Sequence, residues 1–230
     1  MARYPAARDA EFGTVVEVAG VRPGESVADI PCGGGYLAGY LPPGTPLWSI
    51  DSSDVFADCF RQTRQDRFLL CPIDRVPLAD AAFDHIISIA GLHHVEDRRP
   101  FWRECARLLR AGGTLTVADV RAGSPAALFL DSTVDRHTST GHKGIYFDRQ
   151  TVDELDAAGF RVELAEPRRI GWRAETRAAL GEFCHLLFGL ENIDVATLTG
   201  ILQSDIGMRD VPGGVELDWE LMLFRAIRAP

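Results

Sequence analysis

Residues 27–41 read Val-Ala-Asp-Ile-Pro-Cys-Gly-Gly-Gly-Tyr-Leu-Ala-Gly-Tyr-Leu, and this stretch decides the fold. An apolar β-type run ends at Ile30, breakers occupy Pro31 to Gly35, and a helix is expected to start near Tyr36. Consecutive glycines at a strand-to-helix turn let the backbone swing tightly and leave room for a ligand to lie against it. Outward from the turn, short apolar runs at 47–50, 68–71, 84–89 and 114–120 alternate with segments of helical period. Val55, Phe56, Cys59, Phe60 and Thr63 form one such segment. Phe101, Cys105, Leu108 and Leu109 form another, before the Gly112-Gly113 stop. Strands alternating with helices predict a parallel sheet covered on both faces. A further helix over 148–158, a strand over 160–165 and a final strand over 216–227 complete the expected sheet. Residues 121–147 and 167–214 stand outside the alternation, and the second stretch carries helical patterns at 174–190 and 195–206.

Composition narrows the function classes. Of 230 residues, 46% are hydrophobic and 25% charged, ordinary values for a globular chain, so disordered and disulfide-knot classes drop out. Acids outnumber bases by 33 to 24, and a net charge of −9 argues against a nucleic-acid partner, which requires a basic face. The five cysteines never form a CxxC pair, so neither a disulfide framework nor a zinc site is suggested. The first residues lack the apolar core of a signal peptide, and no apolar stretch approaches the ~20 residues of a spanning helix. The expectation is a cytoplasmic protein, one domain over 1–230, with no membrane partner.

An adenosine-containing cofactor is the default occupant of such a glycine turn, and two kinds compete. Gly33, Gly35 and Ala38 fit a dinucleotide fingerprint, with Asp51 near the offset of a ribose-binding acid, so an NAD-dependent oxidoreductase must be considered. Against it stands Asp29, an acid where a pyrophosphate would suffer repulsion. S-adenosylmethionine carries a sulfonium and an ammonium against one carboxylate and has no phosphate, so acids along the sheet edge would welcome it.

Later residues favour the second cofactor. After the third strand come Cys71-Pro72-Ile73-Asp74, then PLADAAFDHIIS, then a strand ending in Ala90-Gly91-Leu92-His93-His94, then ECARLLRAGGTLTVAD. This succession resembles the class I S-adenosylmethionine-dependent methyltransferases, in particular the small-molecule branch that includes quinone-biosynthesis enzymes. The resemblance covers roughly residues 24–120, plus the turn at Ala158-Gly159-Phe160. It implies a Rossmann-like α/β fold: a seven-stranded, mostly parallel sheet flanked by helices, its last strand antiparallel, with helical insertions after strand 5 and between strands 6 and 7. It implies methyl transfer to an oxygen, nitrogen, sulfur or carbon of a small, specialised metabolite. Asp29 is similar to the acid that holds the cofactor's ammonium end, Asp51 (with Ser52 beside it) to the acid that takes both ribose hydroxyls, and Asp74 (after Ile73) to the acceptor of the adenine amino group. The backbone near Gly33, Gly34, Gly35 and Ala90 would line the methionine portion. Pro31 departs from the pattern, standing where the family has glycine; its turn is stiffer and has one backbone donor fewer. A same-fold protein that binds the cofactor without transferring methyl, as a cyclase or a structural partner, is the alternative.

Methyl transfer from a sulfonium needs alignment, a base when the nucleophile's pKa is high, and exclusion of water. His93 and His94 follow the fourth strand at the ligand-binding edge of the sheet, and imidazole suits a general base. His94 is the expected proton acceptor or acceptor-orienting group. The insertion sequence DSTVDRHTSTGHKGIYF packs polar groups densely, as a lid or acceptor wall would, and offers His137, His142, Lys143 and Tyr146 as substrate contacts, with Trp172 a weaker candidate. Asp131 and Asp135 share a helix face at i, i+4, but lack a defined ligand spacing, and no metal is expected. The helices of 167–214 are expected to cover the acceptor site or to form a homodimer contact.

Overall fold

A computed structural model describes residues 3–63 and 67–230 of the chain; the side chains of Cys59 and Thr63, counted above in a helical pattern, lie outside what it describes. In chain order the elements begin with α1 (Asp9–Ala19), β1 (Val27–Asp29), β2 (Leu47–Asp51), α2 (Asp54–Thr63), β3 (Phe68–Leu70), β4 (Phe83–Ile89), α3 (Arg99–Leu108) and β5 (Leu109–Val120). There follow α4 (Pro125–Phe129), a π-helical turn (Leu130–Val134), α5 (Asp135–His137), α6 (Gln150–Ala157), β6 (Phe160–Arg169), β7 (Trp172–Ala174) and α7 (Arg177–Leu187). The chain continues through α8 (Val195–Ile201), a second π-helical turn (Leu202–Ile206), β8 (Met208–Val211), β9 (Gly214–Leu217) and β10 (Glu220–Arg228).

Seven strands form one sheet in the order β3-β2-β1-β4-β5-β10-β6. The pairs β1–β2, β1–β4, β2–β3 and β4–β5 are all parallel. Strand order reverses beside β1, and in sheets of this kind ligands bind outside the carboxyl ends of the strands at such a reversal. Central strands covered on both faces must be apolar throughout. Accordingly β1 is buried at every residue and β5 from Gly113 to Val120. Phe101, Trp102, Cys105 and Leu108 of α3 pack with Ile86, Leu115, Phe147 and Phe224 in one core cluster. Trp102 is fully buried, and its indole N–H donates to Glu154 Oε2 at 2.9 Å, which joins α3 to α6.

The chain forms two compact units. One comprises Phe12–Asp119, Phe147–Glu166 and Met222–Pro230, and carries nearly all of the seven-stranded sheet. The other comprises residues up to Glu11, Val120–Tyr146 and Pro167–Leu221. In the second unit a three-stranded antiparallel sheet, ordered β7-β9-β8, lies with α7 and α8. Among the described residues no helix is long and apolar enough to cross a membrane.

Three expectations are corrected. The strand foreseen over 216–227 divides at Asp218-Trp219: β9 joins the small sheet and β10 the large one. Trp219 turns its ring onto Trp172 (centroids 4.1 Å apart), and its carbonyl accepts the Ile170 N–H, so the continuous apolar run is not one extended ladder. The region read as two helices also contributes β7 and β8, whose pairing with β9 depends on long-range contacts. The helix foreseen at Tyr36 is a single 3₁₀ turn, Tyr36–Gly39, because Gly39 and the Pro42-Pro43 pair prevent its continuation. Removing the large ring at Trp102 tests the core: Trp102→Ala is predicted to cost about 3–5 kcal/mol in urea unfolding. Val55→Ala, at a position 73% exposed, should change stability by less than about 0.5 kcal/mol.

Candidate functional site

Parallel pairing puts the C-terminal ends of β1, β2 and β4 along one edge of the sheet. Asp29 ends β1 and Asp51 ends β2, and both are only 4% exposed. Asp51 is well supplied with donors: Gly33 N–H reaches Oδ2 at 2.8 Å and Ser53 N–H reaches Oδ1 at 2.9 Å. A carboxylate has about four lone-pair sites, so two remain for a ligand. Asp29 is different, and the hydrogen bonds of the turn show why. Ile30 N–H is given to Ile87 O, Cys32 N–H to Ile50 O and Gly35 N–H to Cys32 O. Gly33 N–H goes to Asp51, and Pro31 has no N–H to give. Among the described residues nothing donates to Asp29. Burial therefore pushes its carboxyl well above the usual carboxylate range, and the neighbouring Asp51 adds to the shift. Burial, together with the same two acids, likewise raises the Cys32 thiol.

Two backbone positions shape this edge. Gly35 takes φ 72°, and a Cβ there would collide with the Phe60 ring, so both conformation and space demand glycine. Ala90, directly after β4, holds φ 51°, a left-handed conformation that costs a residue with a Cβ about 1–2 kcal/mol. Its N–H is anchored on Ala118 O at 2.8 Å. Such strain persists where the surroundings enforce it, commonly beside a ligand. The next residue, Gly91, leaves room for Pro31, whose Cγ would stand 2.6 Å from an added Cβ. The structure thus brings Pro31, Gly33, Gly34, Gly35, Asp29, Asp51 and the Ala90 turn onto one edge. Ser52 and Asp74 are exposed and Ile73 half-buried beside the ends of β2 and β3.

His93 and His94 lie in the 3₁₀ turn Leu92–His94 after β4. Their rings stand 4.1 Å apart, His93 buried and His94 exposed. Asp119, fully buried near the end of β5, accepts Leu92 N–H at 2.8 Å and His93 N–H at 3.2 Å on Oδ2, and His93 Nδ1 lies 2.6 Å from its Oδ1. An ionised Asp119 is an acceptor only, so Nδ1 bears the proton and Nε2 the lone pair. Reading the sequence did not single out Asp119. The signal was there, an acid inside the otherwise apolar run Thr116-Val117-Ala118-Asp119-Val120, because a buried acid needs partners.

The residues expected to meet an acceptor lie in the second unit and divide into three places. His142, Lys143 and Tyr146 are clasped by two aspartates on the helical segment before them. Tyr146 Oη–H donates to Asp131 Oδ1 at 2.6 Å, with Gly144 N–H at 3.1 Å on the same oxygen and His142 Nδ1 3.4 Å away. Asp135 accepts His142 N–H and the Lys143 ammonium, each at 2.8 Å. Burial would raise Asp131, but the donors Tyr146, Gly144 and His142 outweigh it and hold the carboxyl below its ordinary value; Lys143 and His142 N–H do the same for Asp135. His137 instead borders an open depression of about 670 Å³ with Arg136, Glu191, Ile193, Asp194 and Ile201. Trp172 is committed to packing. It is 2% exposed, stacks on Trp219, and gives its indole N–H to the buried Glu11 carboxylate at 2.7 Å, which Arg8 also grips.

Residues 28–117 match a family described as "Methyltransferase domain". The 27-O-demethylrifamycin SV methyltransferase of Amycolatopsis mediterranei is 30% identical over 156 residues, covering 64% of this chain and 57% of that one. Methyltransferase GfsG of Streptomyces halstedii is 36% identical over 109 residues, covering 44% and 39%. The chain spans about half the length of the curated relatives it matches. In structure, the YcgJ protein from Bacillus subtilis superposes with TM-score 0.68 at 17% identity, over 96% of this chain and 99% of that one, a likeness of fold.

The raised Asp29 gives a pH test of stability. Its unfolded value is about 3.9, below the folded one, so the native state keeps a proton that the unfolded chain releases. The associated stability is complete below about pH 4 and is lost as pH rises through the folded value. Asp29→Asn, which cannot ionise, is predicted to unfold at higher urea than the natural chain at about pH 8, and the gap should close towards about pH 4. A gap that stays constant with pH would contradict a buried, ionisable Asp29.

Proposed function

We propose, from the premise that this chain carries a class I S-adenosylmethionine-dependent methyltransferase domain, that it transfers a methyl group to an O, N, S or C atom of a small specialised metabolite and leaves S-adenosylhomocysteine. The observation that carries this reading is the edge itself: two buried carboxylates and a glycine turn in which the N–H groups of Ile30, Cys32, Gly33 and Gly35 are spent on Ile87, Ile50, Asp51 and Cys32. A pyrophosphate needs such donors and no carboxylate beside them; a cationic nucleoside without phosphate needs the reverse. The residues therefore fit S-adenosylmethionine and not a dinucleotide.

Asp29 would take the ammonium end. Asp51 would accept both ribose hydroxyls on its remaining lone pairs, with Ser52 beside it, and exposed Asp74 would accept the adenine amino group over the half-buried Ile73. Pro31, Gly33, Gly34, Gly35 and Ala90 would line the methionine portion. When bound, the cofactor supplies a methyl group on sulfonium, whose departing thioether needs no acid. The chain has only to orient the acceptor and remove its proton. His93 Nε2, with its tautomer set by Asp119, is suited to take that proton, and exposed His94 to present the acceptor. Within the second unit, the clasped His142, Lys143 and Tyr146 would provide an acceptor wall, and the depression beside His137 a further contact. The rifamycin substrate named for one relative supports a small-molecule acceptor, and the net charge of −9 supports a partner other than nucleic acid.

Two measurements test the assignment. Asp51→Ala should weaken S-adenosylmethionine binding in calorimetry by about 1.5–3 kcal/mol, the value of hydrogen bonds to a charged group, and unchanged affinity would move the ribose elsewhere. With alcohol or phenol acceptors of high pKa, release of S-adenosylhomocysteine should fall about 10²-fold or more in Asp119→Asn while cofactor affinity holds. Undiminished release would remove the base from His93, and absence of release from the natural chain across a broad acceptor panel would favour a cofactor-binding protein without transfer.

A further inference from the structure

We propose that cofactor binding expels one proton from Asp29, so that the site takes up the cationic ligand in exchange for a proton. The proposal rests on the functional reading above. Its geometric basis is a carboxyl 4% exposed to which, among the described residues, no group donates. The absence of donors is built into the chain. Proline at 31 removes the one N–H of the turn's first position, and the N–H groups of Ile30, Cys32 and Gly33 are directed to Ile87 O, Ile50 O and Asp51.

The neighbours of Asp29 reinforce this. Among the described residues the charged group facing it from β2 is Asp51, a like charge whose oxygens accept two backbone N–H groups. From the turn comes the Cys32 thiol, which the same burial and acids keep protonated. β4 places Ile87 beside Asp29, and β2 places Ser49 there; neither is charged. His85, two rows away on β4, is engaged by Glu25 at 2.8 Å. Among the described residues no cation faces Asp29. A buried acid beside a fixed carboxylate holds its proton. An arriving ammonium changes the balance, because a carboxylate paired with it is favoured over a neutral acid. The exchange conserves charge: neutral acid plus cofactor cation yields an ion-paired complex plus one proton released to solvent, and no covalent bond other than the carboxyl O–H changes. Both S-adenosylmethionine and S-adenosylhomocysteine carry the ammonium, so both should release it.

The test is titration calorimetry of the full chain with each ligand, in buffers of different ionisation enthalpy, from about pH 5.5 to about pH 8.5. In the acid part of the range the natural chain should release close to one proton per ligand bound, and the dissociation constant should rise about tenfold per pH unit as pH falls. In Asp29→Asn the release should vanish and the pH slope flatten, with thermal unfolding showing the variant folded. Binding with no buffer-dependent heat, or release that persists in Asp29→Asn, overturns the exchange while leaving the methyltransferase reading in place. Absence of any binding by either ligand overturns both.

Discussion

A carboxyl group buried at the end of a central strand, to which no described residue donates a hydrogen bond, is the constraint on which the site depends. Asp29 could be satisfied cheaply by one N–H from the turn, yet proline occupies position 31 and the adjoining N–H groups are pointed at strand carbonyls and at Asp51. Folding alone gains nothing from such a group, since a buried polar atom without a partner costs about 1–3 kcal/mol. A site that will hold a cation gains a partner waiting for it. The same hydrogen bonds that deprive Asp29 of donors also leave few for a phosphate, so one arrangement of the turn accounts both for the ligand it suits and for the one it rejects.

The sheet around this turn was largely legible because its signals are local. Short apolar runs bounded by breakers, separated by segments of helical period, place β1, β2, β3, β4 and β5 close to where the structure has them. Parallel order then carries the acids after those runs to one edge without knowledge of contacts. The small sheet was illegible for the opposite reason. β7 pairs with β9 through Trp172 and Leu217, far apart in sequence, and three-residue β7 carries no pattern of its own. The division at Asp218-Trp219 likewise follows from a ring stacking on Trp172, which an apolar run cannot reveal.

Site residues were legible to the extent that position alone defines them. Asp29 and Asp51 are recognisable as strand-end acids; that Asp51 accepts two N–H groups while no described residue donates to Asp29 depends on hydrogen bonds across the turn. His93 and His94 are equivalent in sequence, and only the buried Asp119, on a neighbouring strand, separates a ring with a set tautomer from an exposed one. Asp131 and Asp135 drew attention as i, i+4 acids. The structure uses them to fasten the loop that carries His142, Lys143 and Tyr146, a positioning task that spacing does not distinguish from solvation. Trp172 shows the converse: an aromatic within a polar stretch is engaged by Glu11 and Trp219.

The central claim, that the edge formed by Asp29 and Asp51 embraces a positively charged nucleoside, is tested most directly by a crystal structure of the chain with S-adenosylhomocysteine. The account predicts the ribose hydroxyls on Asp51 and the amino group within hydrogen-bonding reach of Asp29. Ligand density away from that edge, or an amino group turned from Asp29 towards solvent, would contradict it.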